Sequence, residues 1–320
     1  MVTTRLRVVF FGTPEFAVPT LDALLASAHA VVAVVTQPDR PRGRGQRMTD
    51  APVKARALTA GLPVLQPSSL KDSEFVATLR ALDADLGVVA AYGKILTDAV
   101  LATPRLGLVN VHASLLPKYR GAAPVHRAII AGERETGVTI MRVVKALDAG
   151  PMLATTTRPI TSDDTSVDVE RDLAHLGANL LISTLDALAA GTLVGTPQDD
   201  TLATYAARLT KADGLVDWSR SPSAIHNLIR GLHPWPLAFT FWRAARLILR
   251  RSSEPDDVAG ATDGQPGTVV AAAGDDLRVA CGGGTLRLVE LQAEGSRPMS
   301  ARDFLSGHRL APGDRLTSSP

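Results

Sequence analysis

Alternation is what constrains this chain most. Residues 6–11 form a β-branched and aromatic run ending at Gly12. Thr13-Pro14-Glu15 then opens a stretch in which Phe16, Leu21, Leu24 and Leu25 recur at roughly helical spacing. Residues 30–36 are a second apolar run. A strand–helix–strand opening of this kind predicts a parallel sheet covered by helices. The pattern continues. Strands are predicted over 63–65, 86–91, 106–112, 137–144 and 152–160, and helices over 53–60, 73–82, 124–131 and 166–190. In the last of these, Leu173, Leu176, Leu180, Leu181, Leu185 and Leu188 mark one buried face. The turn after the first strand reads Gly12-Thr13-Pro14 and lacks the G-x-G-x-x-G spacing, so nothing favours a bound dinucleotide.

Periodicity breaks at residues 191–204, where Gly, Thr, a proline and two aspartates interrupt the pattern, and which read as a linker. Beyond it a short helix is predicted over 222–231. Short strands follow over 237–242, 245–250, 267–272, 277–280 and 286–292, separated by Gly/Pro turns, which suggests a small barrel. A chain of 320 residues with 45% hydrophobic content can support one large domain or two smaller ones. No apolar run approaches the ~20 residues of a membrane span. The N-terminus reads as a first strand rather than a signal peptide, so a cytoplasmic protein with no membrane partner is expected. The single cysteine, Cys281, excludes an internal disulfide framework and a multi-thiolate metal site. A net charge of +2 announces no nucleic-acid partner, and local patches must carry that argument.

The chemistry concentrates in residues 110–121, Asn-Val-His-Ala-Ser-Leu-Leu-Pro-Lys-Tyr-Arg-Gly. Residues i and i+2 of a strand share a face, so Asn110 and His112 project side by side. Pro117 cannot continue a central strand, so the chain leaves the sheet just past them. Ligands of open α/β sheets bind at such strand ends. The pair can equally be polar residues closing an ordinary strand. Asp148, in the turn Leu-Asp-Ala-Gly-Pro, is either a turn former or a carboxylate that orients His112. A further segment, residues 37–48, sets Arg40, Arg42, Arg44 and Arg47 among two prolines and two glycines. It is either a solvated basic loop or a mobile arm that grips phosphates.

Around these residues the sequence resembles the folate-dependent formyltransferases, and within them the branch that acts on methionyl-tRNA. The resemblance rests on residues 110–124, on Glu135-Thr-Gly-Val-Thr-Ile-Met141 and on Leu147-Asp-Ala-Gly-Pro151. It extends to Phe11-Gly-Thr-Pro-Glu-Phe16, Gln37-Pro-Asp-Arg-Pro41 with Gly43-Arg-Gly45, Ala91-Tyr-Gly-Lys-Ile-Leu96, Pro234-Trp-Pro236 and residues 298–316. It implies an α/β fold: a Rossmann-like catalytic domain with a parallel-rich sheet over 1–191, a linker over 192–209, and an OB-like barrel over 210–320 that helps hold tRNA. It implies 10-formyltetrahydrofolate as co-substrate, initiator methionyl-tRNA as acceptor, no metal, and a monomer.

By the same resemblance Asn110, His112 and Asp148 match the catalytic residues. Ser114, Leu115, Leu116 and Pro117 match the folate-contacting loop, with Tyr92, Ile95 and Leu96 along the pterin pocket. Arg44 matches an arginine that contacts tRNA, and Arg40 and Arg42 lie beside it. These residues suit formyl transfer to an amine. Asn110 and His112 can donate to the oxyanion of the tetrahedral intermediate, and Asp148 can hold His112 and help relay the amine proton. Ser114 is not in a G-x-S-x-G elbow, and neither His112 nor His126 has clustered ligand partners. The rivals are a formyltransferase acting on a sugar nucleotide or purine precursor, and a non-catalytic tRNA-binding protein.

Overall fold

The computed structural model describes residues 5–42, 47–255 and 264–319. The chain divides into two compact units. One comprises residues 1–124, 136–158 and 170–206; the other comprises 125–135, 159–169 and 207–320.

The first unit is built on a seven-stranded sheet. Its spatial order is Met152–Pro159, Glu135–Arg142, Leu108–His112, Leu86–Ala90, Arg7–Gly12, Ala30–Val35 and Val64–Leu65. The five strands from Leu108–His112 to Val64–Leu65 run parallel. Their burial explains why they read as apolar runs. Five consecutive residues of Arg7–Gly12 are buried, because helices cover both faces of a parallel sheet. Sequence order reverses between Arg7–Gly12 and Leu86–Ala90, which makes this the switch point at which α/β sheets open a crevice.

Glu135–Arg142 lies beside Leu108–His112, as neighbouring strands usually do, but antiparallel to it. The strand therefore ends with Arg142 opposite Val109, and the turn that follows must carry Asp148 back towards His112. The long helix Ser166–Ala189 buries Leu173, Leu181 and Leu185. It closes tightly on the sheet at Gly177, where a Cβ would come within 2.7 Å of Val111. That contact fixes the strand bearing Asn110 and His112 from one face.

Part of the basic segment pairs as a ribbon. Arg40–Arg42 pairs antiparallel with Arg47–Thr49, with Arg42 opposite Arg47. Pro41 is tolerated because neither strand of a two-stranded ribbon needs a donor on its outer edge. Arg44 lies outside the described residues.

The second unit holds an antiparallel sheet in the order Ala238–Trp242, Ala245–Ser252, Gly284–Ala293, Asp276–Cys281 and Val269–Ala273. Leu247, Leu249, Val279, Leu286, Leu288 and Phe304 fill its core. Among the described residues the first and last of these strands do not pair with each other. The segment 313–317 serves both instead. Thr317 and Phe241 exchange two hydrogen bonds of 2.9 Å, Leu316 N donates to Gly267 O at 2.8 Å, and Val269 N donates to Asp314 O at 2.9 Å. Gly267 permits this approach, since a Cβ there would meet Leu316 O at 2.3 Å.

Pro222–Gly231 is a helix capped by Ser221, whose side chain accepts from Ala224 N, with Pro222 at its first position. It is braced by the excursions 125–135 and 159–169. Arg230 donates to the carbonyls of Thr161 and Asp164, and His226 Nε2 lies 3.0 Å from Ser162 O. Ala301–Gly307, capped by Ser300, is a helix that periodicity did not announce. Among the described residues no helix is long and apolar enough to cross a membrane.

Candidate active site

Asn110 and His112 stand two residues apart at the carboxyl end of Leu108–His112. Asn110 is half-buried, and its amide makes no hydrogen bond to the described residues. His112 is buried. Its Nε2 lies 3.0 Å from the carbonyl of Tyr119, and its Nδ1 lies 3.7 Å from Asp148 Oδ2. The Nε2 contact requires a proton on that nitrogen, since a carbonyl only accepts. Nδ1 then carries the ring's lone pair and faces the Asp148 carboxylate.

Asp148 Oδ2 accepts from the backbone N–H of Gly121 at 2.9 Å. The structure brings Asn110, His112 and Asp148 together on neighbouring elements. Sequence reasoning missed that the short segment 119–121 touches both the histidine and the aspartate. Two of the residues involved hold left-handed backbone conformations, Tyr119 at φ 60° and Asp148 at φ 47°. Non-glycine residues adopt such angles at a cost of ~1–3 kcal/mol and concentrate at functional sites.

The loop from Ser114 to Pro117 is tied to the adjacent strand. Thr139 Oγ1 donates to Ser114 O at 2.8 Å and accepts from Leu116 N at 3.1 Å. Ser114 Oγ donates to Lys118 O at 2.7 Å. Ser114 and Leu116 are buried, and Leu115 and Pro117 are half-buried. The Ser114 hydroxyl therefore shapes the loop rather than facing outward.

The second expected group divides further. The Tyr92 ring is 1% exposed and packs edge-on against Phe11 at 5.6 Å, inside the core beneath the sheet. Burial pushes its phenol up to about 12. Only its backbone faces the crevice, where its carbonyl accepts from Gln37 Nε2 at 2.7 Å and Thr13 Oγ1 at 3.3 Å. The ring itself fills the core, because a large aromatic beside Phe11 gains more by burial there. Leu96 packs against the same core, whereas Ile95 is 83% exposed.

A cavity of about 320 Å³ opens at the switch point, lined among others by Thr13, Pro14, Gln37, Asp39, Ala91 and Gly93. It includes none of residues 114–117. The arginine hairpin springs from its rim. Asp39, just before the hairpin, is paired with Lys54, and Lys54 Nζ also reaches Asp50, just after it, at 2.8 Å. The ammonium holds the Asp39 carboxyl below its usual range. Gln66 Nε2 donates to Gln37 O at 3.0 Å and to Asp39 Oδ1 at 3.1 Å. Among the described residues no cluster of three His, Cys, Asp or Glu could hold a metal.

Residues 6–185 match the family model described as formyl transferase, and residues 208–309 match the formyl transferase C-terminal domain. The chain belongs to the formyl transferase family.

This formyl transferase is 50% identical over 311 residues to the methionyl-tRNA formyltransferase of Methylococcus capsulatus, covering 97% of this chain and 99% of that one. It is 50% identical over 313 residues to the methionyl-tRNA formyltransferase of Trichlorobacter lovleyi, covering 98% of each. Among solved structures, the N-formyltransferase from Helicobacter canadensis in complex with folinic acid and dTDP-3-aminofucose superposes with a TM-score of 0.67. That match covers 92% of this chain and all of the other at 16% identity, and so is a likeness of fold. In this formyl transferase, sequence reasoning missed Lys54 and Gln66. Their types are ordinary, and only the folded chain brings them against Asp39.

Proposed function

We propose that this formyl transferase moves a formyl group from 10-formyltetrahydrofolate to the amino group of initiator methionyl-tRNA, in the cytoplasm. The observation that carries the reading is the near-end-to-end 50% identity to methionyl-tRNA formyltransferases. The order of polar groups at the end of Leu108–His112 supports it.

The acceptor amine, neutral when it attacks, forms a bond to the formyl carbon. Its carbonyl oxygen becomes an oxyanion. The amide of Asn110, unengaged by the described residues, donates to that oxygen, and His112 joins it by exchanging the Tyr119 carbonyl for the oxyanion. The amine must lose one proton and N10 of the donor must gain one as its bond to carbon breaks. Asp148, adjoining His112, assists that transfer. The loop 114–117 and the main chain of 92–96 border the folate, and Arg40, Arg42 and Arg44 meet the acceptor end of the tRNA, a polyanion that a basic hairpin suits.

The deciding experiment supplies the purified protein with 10-formyltetrahydrofolate and charged initiator tRNA, and detects N-formylmethionine after deacylation. No formylation of the tRNA, with formylation of an amino-sugar nucleotide in its place, would overturn the reading.

A further inference from the structure

We infer that Gln198 is a positioning residue for Asp148, which rests on the reading that Asp148 acts in formyl transfer. Gln198 lies in the stretch that reads as a linker, but that stretch is tied down along its length. Thr196 and Met152 exchange two hydrogen bonds of 2.8 Å, and Tyr205–Ala206 pairs with Arg120–Gly121. Within it, the Gln198 amide uses both ends. Nε2 donates to the carbonyls of Asp148 and Gly150, each at 2.8 Å. Oε1 accepts from Arg120 Nε at 3.0 Å and from its terminal nitrogen at 2.8 Å.

The orientation of this amide is dictated, not chosen. Reversed, it would set its N–H groups against the guanidinium and its oxygen against two carbonyls. The guanidinium in turn cannot wander, because its side chain is 4% exposed and its other partner is Asp200 at 2.7 Å.

The consequence falls on one tripeptide. Tyr119 O meets His112, Gly121 N meets the Asp148 carboxylate, and the Arg120 side chain meets Gln198, which holds the Asp148 backbone. The turn 148–150 has little support of its own. Asp148 sits at φ 47°, and Gly150 passes so close to Arg142 O that a Cβ would lie 1.9 Å from it. Gln198 holds this turn from outside, so the carboxylate keeps its place relative to His112.

Gln198→Glu separates the positioning role from a merely structural one. A glutamate keeps, and strengthens, the acceptor for Arg120, while it removes both donors to the 148–150 turn and turns lone pairs towards its carbonyls. We expect kcat to fall ~10- to 100-fold, as small misplacements of reacting groups do. KM for the folate donor and for charged tRNA should hold, and circular dichroism should show the fold intact. Added to Asp148→Asn, the substitution should cost nothing further, since both act through one group.

Wild-type kcat in Gln198→Glu, beside a crippled Asp148→Asn, overturns the inference and leaves the reading of Asp148 intact. So does a full further loss in the double variant. Normal turnover in Asp148→Asn removes the reading and the inference together. Should Gln198→Glu not fold, Gln198→Met, which lacks the donors without adding charge, answers by the same measurements.

Discussion

His112 has Nε2 hydrogen-bonded to the Tyr119 carbonyl and Nδ1 3.7 Å from the Asp148 carboxylate. Asn110 has none of its amide committed to the described residues. The two should therefore respond differently to substitution. Asn110→Ala should leave the fold undisturbed and lower kcat ~10²–10³-fold, the usual cost of one oxyanion donor. His112→Ala should lower kcat at least as much and also loosen the 119–121 segment. Asp148→Asn should resemble His112→Ala in rate. Steady-state kinetics on protein checked by circular dichroism would show it, and full turnover in any variant would remove that residue from the mechanism. Asn110 and His112 were legible because a strand's period of two sets them on one face. Gln198 was not, since nothing local links a glutamine in a polar stretch to an arginine 78 residues earlier. The position of the Tyr92 ring was not legible either, since its motif carries a resemblance while the ring packs in the core beside Phe11.

At the scale of elements, the arginine hairpin and the helix Pro124–Ala131 each give a test. Arg44→Ala should raise KM for charged tRNA, or lower kcat with it, and leave KM for the folate donor unchanged. The defect should shrink at high salt, where phosphate contacts count for less. Impaired folate use with normal tRNA use would detach the hairpin from tRNA. Composition identified this segment as basic and rich in Gly and Pro, but it could not show that Arg40–Arg42 and Arg47–Thr49 pair, because cross-strand register depends on the turn and on the Lys54 anchor. Helix bounds were more legible: Pro124–Ala131 and Pro222–Gly231 fall where the proline at the helix start and the apolar spacing put them. On the first of these helices burial lowers His126 to about 4, with Arg127 beside it adding to the shift. In the unfolded chain a histidine titrates near ~6.5. The unfolded state therefore binds the extra proton between those values and the folded state does not. Stability should be complete above that window and decline as pH falls through it, by at most ~1.4 kcal/mol per pH unit from this group. His126→Gln should flatten that part of the curve in denaturant unfolding measured at pH 7, 6 and 5; an unchanged slope would refute it.

For the whole molecule, the chain passes between its two units at 124/125, 135/136, 158/159, 169/170 and 206/207. No single cut separates them. The fragment 207–320 would lack Arg127, which pairs with Asp213 at 2.8 Å, and the carbonyls of Thr161, Ser162 and Asp164 that receive Arg230 and His226. Expressed alone it should be less stable than a version joined to 125–135 and 159–169 by short linkers, and thermal melts of the two would decide it; equal midpoints would show those excursions to be dispensable. The double-sided segment 313–317 has a mechanical meaning as well. Its hydrogen bonds to Phe241 on one side and to Gly267 and Val269 on the other lie in sequence along the strand. Under a load applied at its far end they would meet the force one after another, as a zip does, rather than sharing it as a seam pulled lengthwise would. The sheet of the second unit would then open first where its two borders are joined.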